Sequence, residues 1–389
     1  MSVNLISSSL LQLNPVIALR LFFVTQSLGL SLWLLRIPEV KATIGLSLID
    51  LSFALFMQPF GVLIGFFISS TLISKIGNKY SCLYFGSLFV SIFGLIPLAQ
   101  SFLFLALILF TSGVVCAAAE VSMNSIAAQI ERKLKTRMMS RFHAFWSIGA
   151  LLAGCLVTGM ALFKISFFAQ QCLIIPPLLI LTILAANSLP TYEIISSREQ
   201  FKEAINFAPS FSLVILCFTP FGALLLEGAL MEWTAVFKRD YQGLPDVHVG
   251  IIFCSFALSM TMSRFFGDQM IDKTGINQTI LISITCSFLG MLVYAQNATM
   301  LGSAVGAIFV GAGIANIYPI VMTLAASQPG SKERNVSAVA FISFTSFLIG
   351  PPMIGILGEY LGLGIALLLI APVSLLPLIY ILSHRKKKR

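Results

Sequence analysis

Charge is scarce in this chain. Asp, Glu, Lys and Arg together make up 10% of its 389 residues, against about 25% in a soluble globular protein. That excludes an ordinary water-facing surface. Only 3 His are present, and no metal-ligand spacing links them, which argues against a metalloenzyme. The seven cysteines (Cys82, Cys116, Cys155, Cys172, Cys217, Cys254, Cys286) stand singly in apolar runs. Without a C-x-x-C, neither a metal site nor a redox pair is indicated, and buried inert thiols are the plainer reading. No G-x-x-x-x-G-K-[ST] loop occurs, so an ATP-driven pump is not expected. No constellation of catalytic side chains survives inspection either, so neither an enzyme nor a cofactor is expected. The opening M-S-V-N-L-I-S-S-S-L-L lacks a basic region and a small-residue cleavage site. No removable leader is therefore expected, and the first apolar helix should act as an uncleaved anchor.

What is there is apolar. Hydrophobic residues make up 58% of the chain, with 33 Phe, and the mean hydropathy is +0.96. Lipid as the solvent accounts for this excess. A helix needs about 20 apolar residues to cross a bilayer. Twelve stretches qualify: 15–36, 52–73, 80–99, 101–129, 142–163, 166–188, 210–236, 249–271, 277–297, 300–327, 336–358 and 361–383. The expected fold is an all-α, multi-pass integral membrane protein. Its longest connection, 189–209, separates a six-helix half (1–188) from a second (210–389). Phe201 to Ile205 in that linker reads either as a surface helix or as part of a plain tether.

Basic residues set the orientation. Lys75, Lys79, Arg132, Lys133, Arg198, Lys273 and the tail from Arg385 to Arg389 fall on one side, against Arg36, Lys41, Lys164, Lys238 and Arg239 on the other. Both termini are therefore expected in the cytoplasm. The basic tail is a topology anchor that can touch anionic lipid rather than a nucleic-acid patch. The halves also repeat. A shift of 198 residues places Gly113 on Gly311, Lys75 on Lys273 and Gly77 on Gly275, and a shift of 200 places Trp33 on Trp233.

The chemistry is expected between Thr111 and Gly154. With 3.6 residues per turn, Gly113, Ala117, Glu120, Asn124 and Ala127 share one small, polar helix face. An acid inside a membrane segment is functional by default. A carboxyl that alternates between a dry and a wet environment can take up and release a proton. Glu120 is accordingly the first candidate for proton coupling; the alternative is a structural acid paired permanently with a donor. Glu227, two-thirds along the seventh stretch, is the second. Asn124 has donors and an acceptor suited to a sugar or polyol hydroxyl, or it is interhelical glue. Trp146 can stack on a sugar face or simply pack. His143 reads as a proton relay or as an interfacial His. Gln26, Gly29 and Trp33 share a face able to line a cavity. Asn316 and Tyr318 precede Pro319, and Gly311 and Gly313 allow that helix to bend or to pack closely. Glu232 lies about 140° from Glu227, and an outer-surface pair with Lys238 is expected for it. Arg20 and Arg264 are expected to snorkel, unless Arg264 pairs with Asp268 or Asp272.

Several stretches together carry a resemblance. They are W-L-L-R-I-P-E-V-K-A-T-I-G-L-S (Trp33 to Ser47), E-V-S-M-N (Glu120 to Asn124), S-R-F-H-A-F-W-S-I-G (Ser140 to Gly149), E-G-A-L-M-E-W-T-A-V-F (Glu227 to Phe237), G-A-G-I-A-N-I-Y-P (Gly311 to Pro319) and G-P-P-M-I-G (Gly350 to Gly355). On these the whole chain resembles a major facilitator superfamily transporter of the fucose-permease-like branch, and in particular bacterial inner-membrane proteins of poorly defined substrate, which implies a bacterial cytoplasmic (inner) membrane. The resemblance implies two parallel six-helix repeats with solute bound between them near the midplane. It also implies an acid on the fourth helix that couples solute to protons, the role Glu120 would fill, with sodium as an open alternative ion. The superfamily's cytoplasmic signature, G-x-x-x-D-R-x-G-R-[RK], is partly kept. Ser70 to Lys79 reads S-T-L-I-S-K-I-G-N-K, retaining Lys75 and Gly77 but placing Ser74 where the acid belongs. The second copy, from Asp268 to Asn277, keeps Asp272 and Lys273. These residues, with Asp268 and Arg264, are the expected gating set. The solute implied is a small sugar or cyclitol. An exporter of amphipathic compounds, or a transporter-like sensor, is the alternative. One chain holds all twelve helices, so a monomer surrounded by lipid is expected.

Overall fold

A computed structural model describes residues 13–136, 138–191, 211–329 and 332–385. Among these residues every regular element is helical. Twelve spans are long and apolar enough to cross a membrane: Pro15–Ile44, Leu48–Ser69, Asn78–Leu98, Phe102–Leu134, Arg141–Leu162, Phe167–Asn187, Ser212–Tyr241, Asp246–Thr274, Ile276–Gln296, Met300–Ala326, Ala338–Leu361 and Leu363–Ser383. We number them spans 1 to 12. An even number of crossings brings both chain ends to one end of the bundle, called here the terminal end; the opposite is the far end. Leu103, Phe163 and Leu173 are among the large apolar side chains left on the outer surface, where lipid would cover them. The expected surface helix at 201–205 and the tail from Lys386 lie outside the described residues.

Local sequence starts and stops the helices. Ser47 and Asp50 form a reciprocal capping box at the start of the helix Leu48–Ile76, which satisfies otherwise orphaned amides. Ser101, Ser166 and Thr299 cap spans 4, 6 and 10 in the simpler way. The repeat is visible in the backbone. Gly77 and Gly275 close spans 2 and 8 at φ 85°, ψ 158° and φ 79°, ψ 158°, a left-handed region that glycine enters without strain.

Several spans are interrupted. Span 1 passes from an α-helix (Pro15–Ser31) through a 3-10 turn (Leu34–Arg36) into a short helix (Ile37–Ile44). Span 7 breaks between Phe218 and Phe221, and span 10 between Ile314 and Ile317. Proline supplies the reason. Pro220 and Pro319 carry no amide hydrogen, so the carbonyls of Leu216 and Ala315 lose their helical donors. The bend expected in span 10 is thus present. Its glycines also pack closely: a Cβ on Gly313 would lie 2.5 Å from the Ser287 amide nitrogen.

Spans 2 and 4 pack tightly within the first half, and spans 9 and 10 within the second. Across the halves, span 2 meets span 11, span 5 meets span 8, and span 1 meets span 7. Small residues permit the approach, as is usual where lipid provides no hydrophobic drive between helices. A Cβ on Gly355 of span 11 would stand 2.2 Å from Ser52 Cβ of span 2.

Candidate functional site

Polar side chains of spans 4, 5, 7, 8 and 10 meet where the two halves face each other. Arg264 of span 8 joins three of these spans. One guanidinium nitrogen donates to Ser147 Oγ of span 5 at 2.5 Å. Another lies 3.4 Å from both carboxylate oxygens of Glu227 on span 7. The two charged side chains are only 15% and 13% exposed. Neither a snorkelling role nor a pair with Asp268 or Asp272 fits this geometry. Arg264 stands inside the bundle, ten residues before the end of span 8 at Thr274, and its ion pair neutralises Glu227. The Ser147 bond crosses from one half to the other.

Glu120 is different. It is half-buried on span 4, within electrostatic reach of Tyr318 on span 10, and so faces the other half. Among the described residues it has no ion pair and no hydrogen bond. One turn on, Asn124 has a buried side-chain oxygen that also lacks a donor. Tyr318 stands edge-on to Phe344 at 6.2 Å, and Phe344 tilts against Phe347 at 5.7 Å. Tyr318 thus stands towards the side where Glu120 lies, at the head of an aromatic row that runs back to Phe347. A lone acid, an amide oxygen without a donor and aromatic faces can together take a solute bearing hydroxyls, with a proton moving on or off the acid.

The other expected residues fall elsewhere. His143 meets the Phe23 ring edge-on at 5.4 Å, and Trp146 packs against a core built from spans 1, 3, 4, 5 and 6 of the first half. The face of span 1 carrying Gln26 and Gly29 turns into the first half. Gly29 abuts Val90 and Leu178, and a Cβ on Gly86 would lie 3.3 Å from Gln26 Nε2. Trp33 and its repeat mate Trp233 are both fully buried, each with an unpaired indole N–H. Asn316 donates to the Ser263 carbonyl at 3.2 Å, tying span 10 to span 8. At the terminal end Lys75, Asp268, Asp272 and Lys273 are exposed, and no ion pair joins them among the described residues.

Polar closure instead occurs at the far end. Arg36 pairs with Glu39, and Glu39 reaches Arg239 of span 7 at 3.8 Å. Arg239 also pairs with Asp246 at 3.3 Å. Glu359 of span 11 accepts from the Leu48 amide of span 2 at 2.9 Å, capping that helix across the boundary between halves. Cys155 and Cys254 approach to 3.7 Å between spans 5 and 8. Sequence reasoning missed this ring. Its members are ordinary loop-end charges, and only the fold brings them together. The expected Glu232–Lys238 pair is also absent. Lys238 instead donates to Gln242 Oε1 and to the Tyr294 and Asn297 carbonyls, at 3.0, 2.7 and 2.9 Å.

The Major Facilitator Superfamily model matches residues 17–347. The chain therefore belongs to the major facilitator superfamily of membrane transporters. It is 25% identical to an uncharacterised MFS-type transporter of Yersinia pestis, over 91% of each chain. It is 28% identical to the membrane protein MosC of Rhizobium meliloti, over 91% of this chain and 86% of that one. Among solved structures it resembles the nucleoside transporter NupG, with a TM-score of 0.71 at 14% identity over 95% of this chain and 98% of that one.

Proposed function

We propose that this protein moves a small polar solute, in the sugar or cyclitol class, across the bacterial cytoplasmic membrane by proton-coupled alternating access, with Glu120 as the proton carrier. One observation carries this reading: of the two acids expected to couple protons, Glu227 is already neutralised by Arg264, whereas Glu120, which faces Tyr318 of the other half, has no partner among the described residues. A lone carboxylate in such a place is stable only when a proton or the solute compensates it. Coupling requires no more than that protonation favours one orientation of the halves over the other.

The solute class is tested by thermal stabilisation of the purified protein with sugars, cyclitols, amino acids and lipophilic cations at two pH values. A bound ligand stabilises by mass action. A sugar or cyclitol that stabilises wild type in a pH-dependent way, and Glu120→Gln equally at both pH values, supports the reading. Stabilisation by lipophilic cations alone would favour an exporter of amphipathic compounds.

A further inference from the structure

Glu232 is an acid that no basic side chain reaches. It stands on span 7, five residues beyond Glu227 and about 140° round the helix. Spans 1, 8, 10, 11 and 12 ring span 7, so Glu232, half-buried, lies inside the bundle and not against lipid. Among the described residues it has neither an ion pair nor a hydrogen bond. The charged groups around it are committed elsewhere: Arg36 to Glu39, Arg239 to Glu39 and Asp246, Arg264 to Glu227 and Ser147, and Lys238 to three oxygens. Glu359 of span 11 caps Leu48, Asp240 is exposed, and Tyr318 of span 10 stands by Glu120. Span 12 carries no ionisable group where it meets span 7.

The surroundings decide what can compensate this acid. Glu232 borders a cleft between spans 7 and 11 whose walls include Leu225, Ala229, Phe347, Pro351 and Ile354. The other polar residue there, Ser346, already donates its hydroxyl to the Ser343 carbonyl at 2.7 Å. Two glycines let the helices close on each other. A Cβ on Gly228 would lie 3.2 Å from the Phe347 ring, and one on Gly350 would lie 3.0 Å from Leu225 Cδ1. The cleft consequently has no volume for a water molecule, and still less for a solute or a hydrated ion. An unpaired carboxylate beside apolar walls is costly, and such a group neutralises itself by taking up a proton. A proton needs no space.

Depth gives that proton a use. Glu232 lies nine residues before Tyr241, the far end of span 7, or about 14 Å along the axis. Glu120 lies 18 residues from Phe102, the far end of span 4, or about 27 Å. The ring row links the two places. Tyr318 stands by Glu120, Phe344 follows, and Phe347 borders the Glu232 cleft.

We propose that Glu232 is a second proton-holding residue, placed between Glu120 and the far side. It keeps its proton while the far end is closed. Spans 1 and 2 cover spans 7 and 11 from the other half; when they withdraw, far-side water reaches Glu232 and exchanges protons with it on the way to Glu120. The assignment rests on the proton-coupled reading given above.

The test is infrared difference spectroscopy of the purified full chain without solute, titrated from acid to alkaline pH. Subtracting the spectrum of Glu232→Gln from that of wild type isolates Glu232. The expected difference at neutral pH is the carbonyl band of a protonated carboxylic acid, shifted in heavy water and lost at alkaline pH. A carboxylate signal in its place at neutral pH would overturn the proposal, and so would a protonated band that neither titrates nor shifts in heavy water, the mark of a purely structural acid. Should Glu232→Gln fail to fold, Glu232→Asp, which keeps the acid, decides: the protonated band should move in frequency, and an unchanged band refutes the proposal. The same subtraction in a Glu120→Gln background should give the same band, so failure here and failure of Glu120 as proton carrier are separate results.

Discussion

At the scale of single residues, the fold separates charges that are satisfied from charges left available. Arg264 and Glu227 hold each other inside the bundle. Removing one member of such a pair leaves an uncompensated charge, which costs about 3–5 kcal/mol. Glu227→Ala should therefore lower the melting midpoint of the purified protein. The double variant Glu227→Ala with Arg264→Met should recover part of that loss, because no buried charge is then left without a partner. A double variant as unstable as the single would show that Arg264 matters through Ser147 instead. Glu120→Gln, which disturbs no pair, should change the midpoint little.

At the scale of helices, close approach depends on residues without side chains. A Cβ on Gly113 would lie 2.0 Å from the Gln58 carbonyl oxygen of span 2. Gly113→Ala must push spans 2 and 4 apart, at a cost of about 1–3 kcal/mol, seen as a lowered melting midpoint. The spans themselves were legible in the sequence because each is a long apolar run with polar ends. The breaks in spans 7 and 10 follow from Pro220 and Pro319, but only the one in span 10 was read. Partners were much less legible. Glu120 and Glu227 stand out by being acids in apolar helices, yet their spacing carries no information on which basic residue lies opposite. Arg264 lies close enough to the end of span 8 to imitate a snorkelling side chain, and its partner Glu227 is 37 residues away. Lys238 and Glu232 are near in sequence, but Lys238 turns to the C-terminus of span 9 and donates to the Tyr294 and Asn297 carbonyls, where a helix end favours a cation. Nor can an apolar helix reveal from sequence which of its faces meets which neighbour: the Gln26 face suits a cavity lining by its residues but packs against span 3 in the fold.

At the scale of the whole molecule, the two halves are latched at the far end by Glu39, Arg239 and Glu359. Glu39→Gln removes the charge that joins span 1 to span 7 and should shift the halves towards a far-end-open arrangement. The native cysteines report this directly. Cys155 and Cys254 stand 3.7 Å apart where spans 5 and 8 meet near the far end, so oxidative cross-linking of wild type should be fast and that of Glu39→Gln slower. Equal rates would show that the Glu39 contact is incidental to closure.

The central claim is that Glu120 carries the proton whose movement drives solute. The most direct test places wild type and Glu120→Gln in proteoliposomes and measures two quantities for one solute: accumulation under an imposed pH gradient, and exchange with no gradient. The account predicts that Glu120→Gln loses accumulation while keeping a measurable part of exchange, since the halves can still rock around a permanently neutral side chain. Undiminished accumulation by Glu120→Gln, with the wild-type pH dependence, would contradict it.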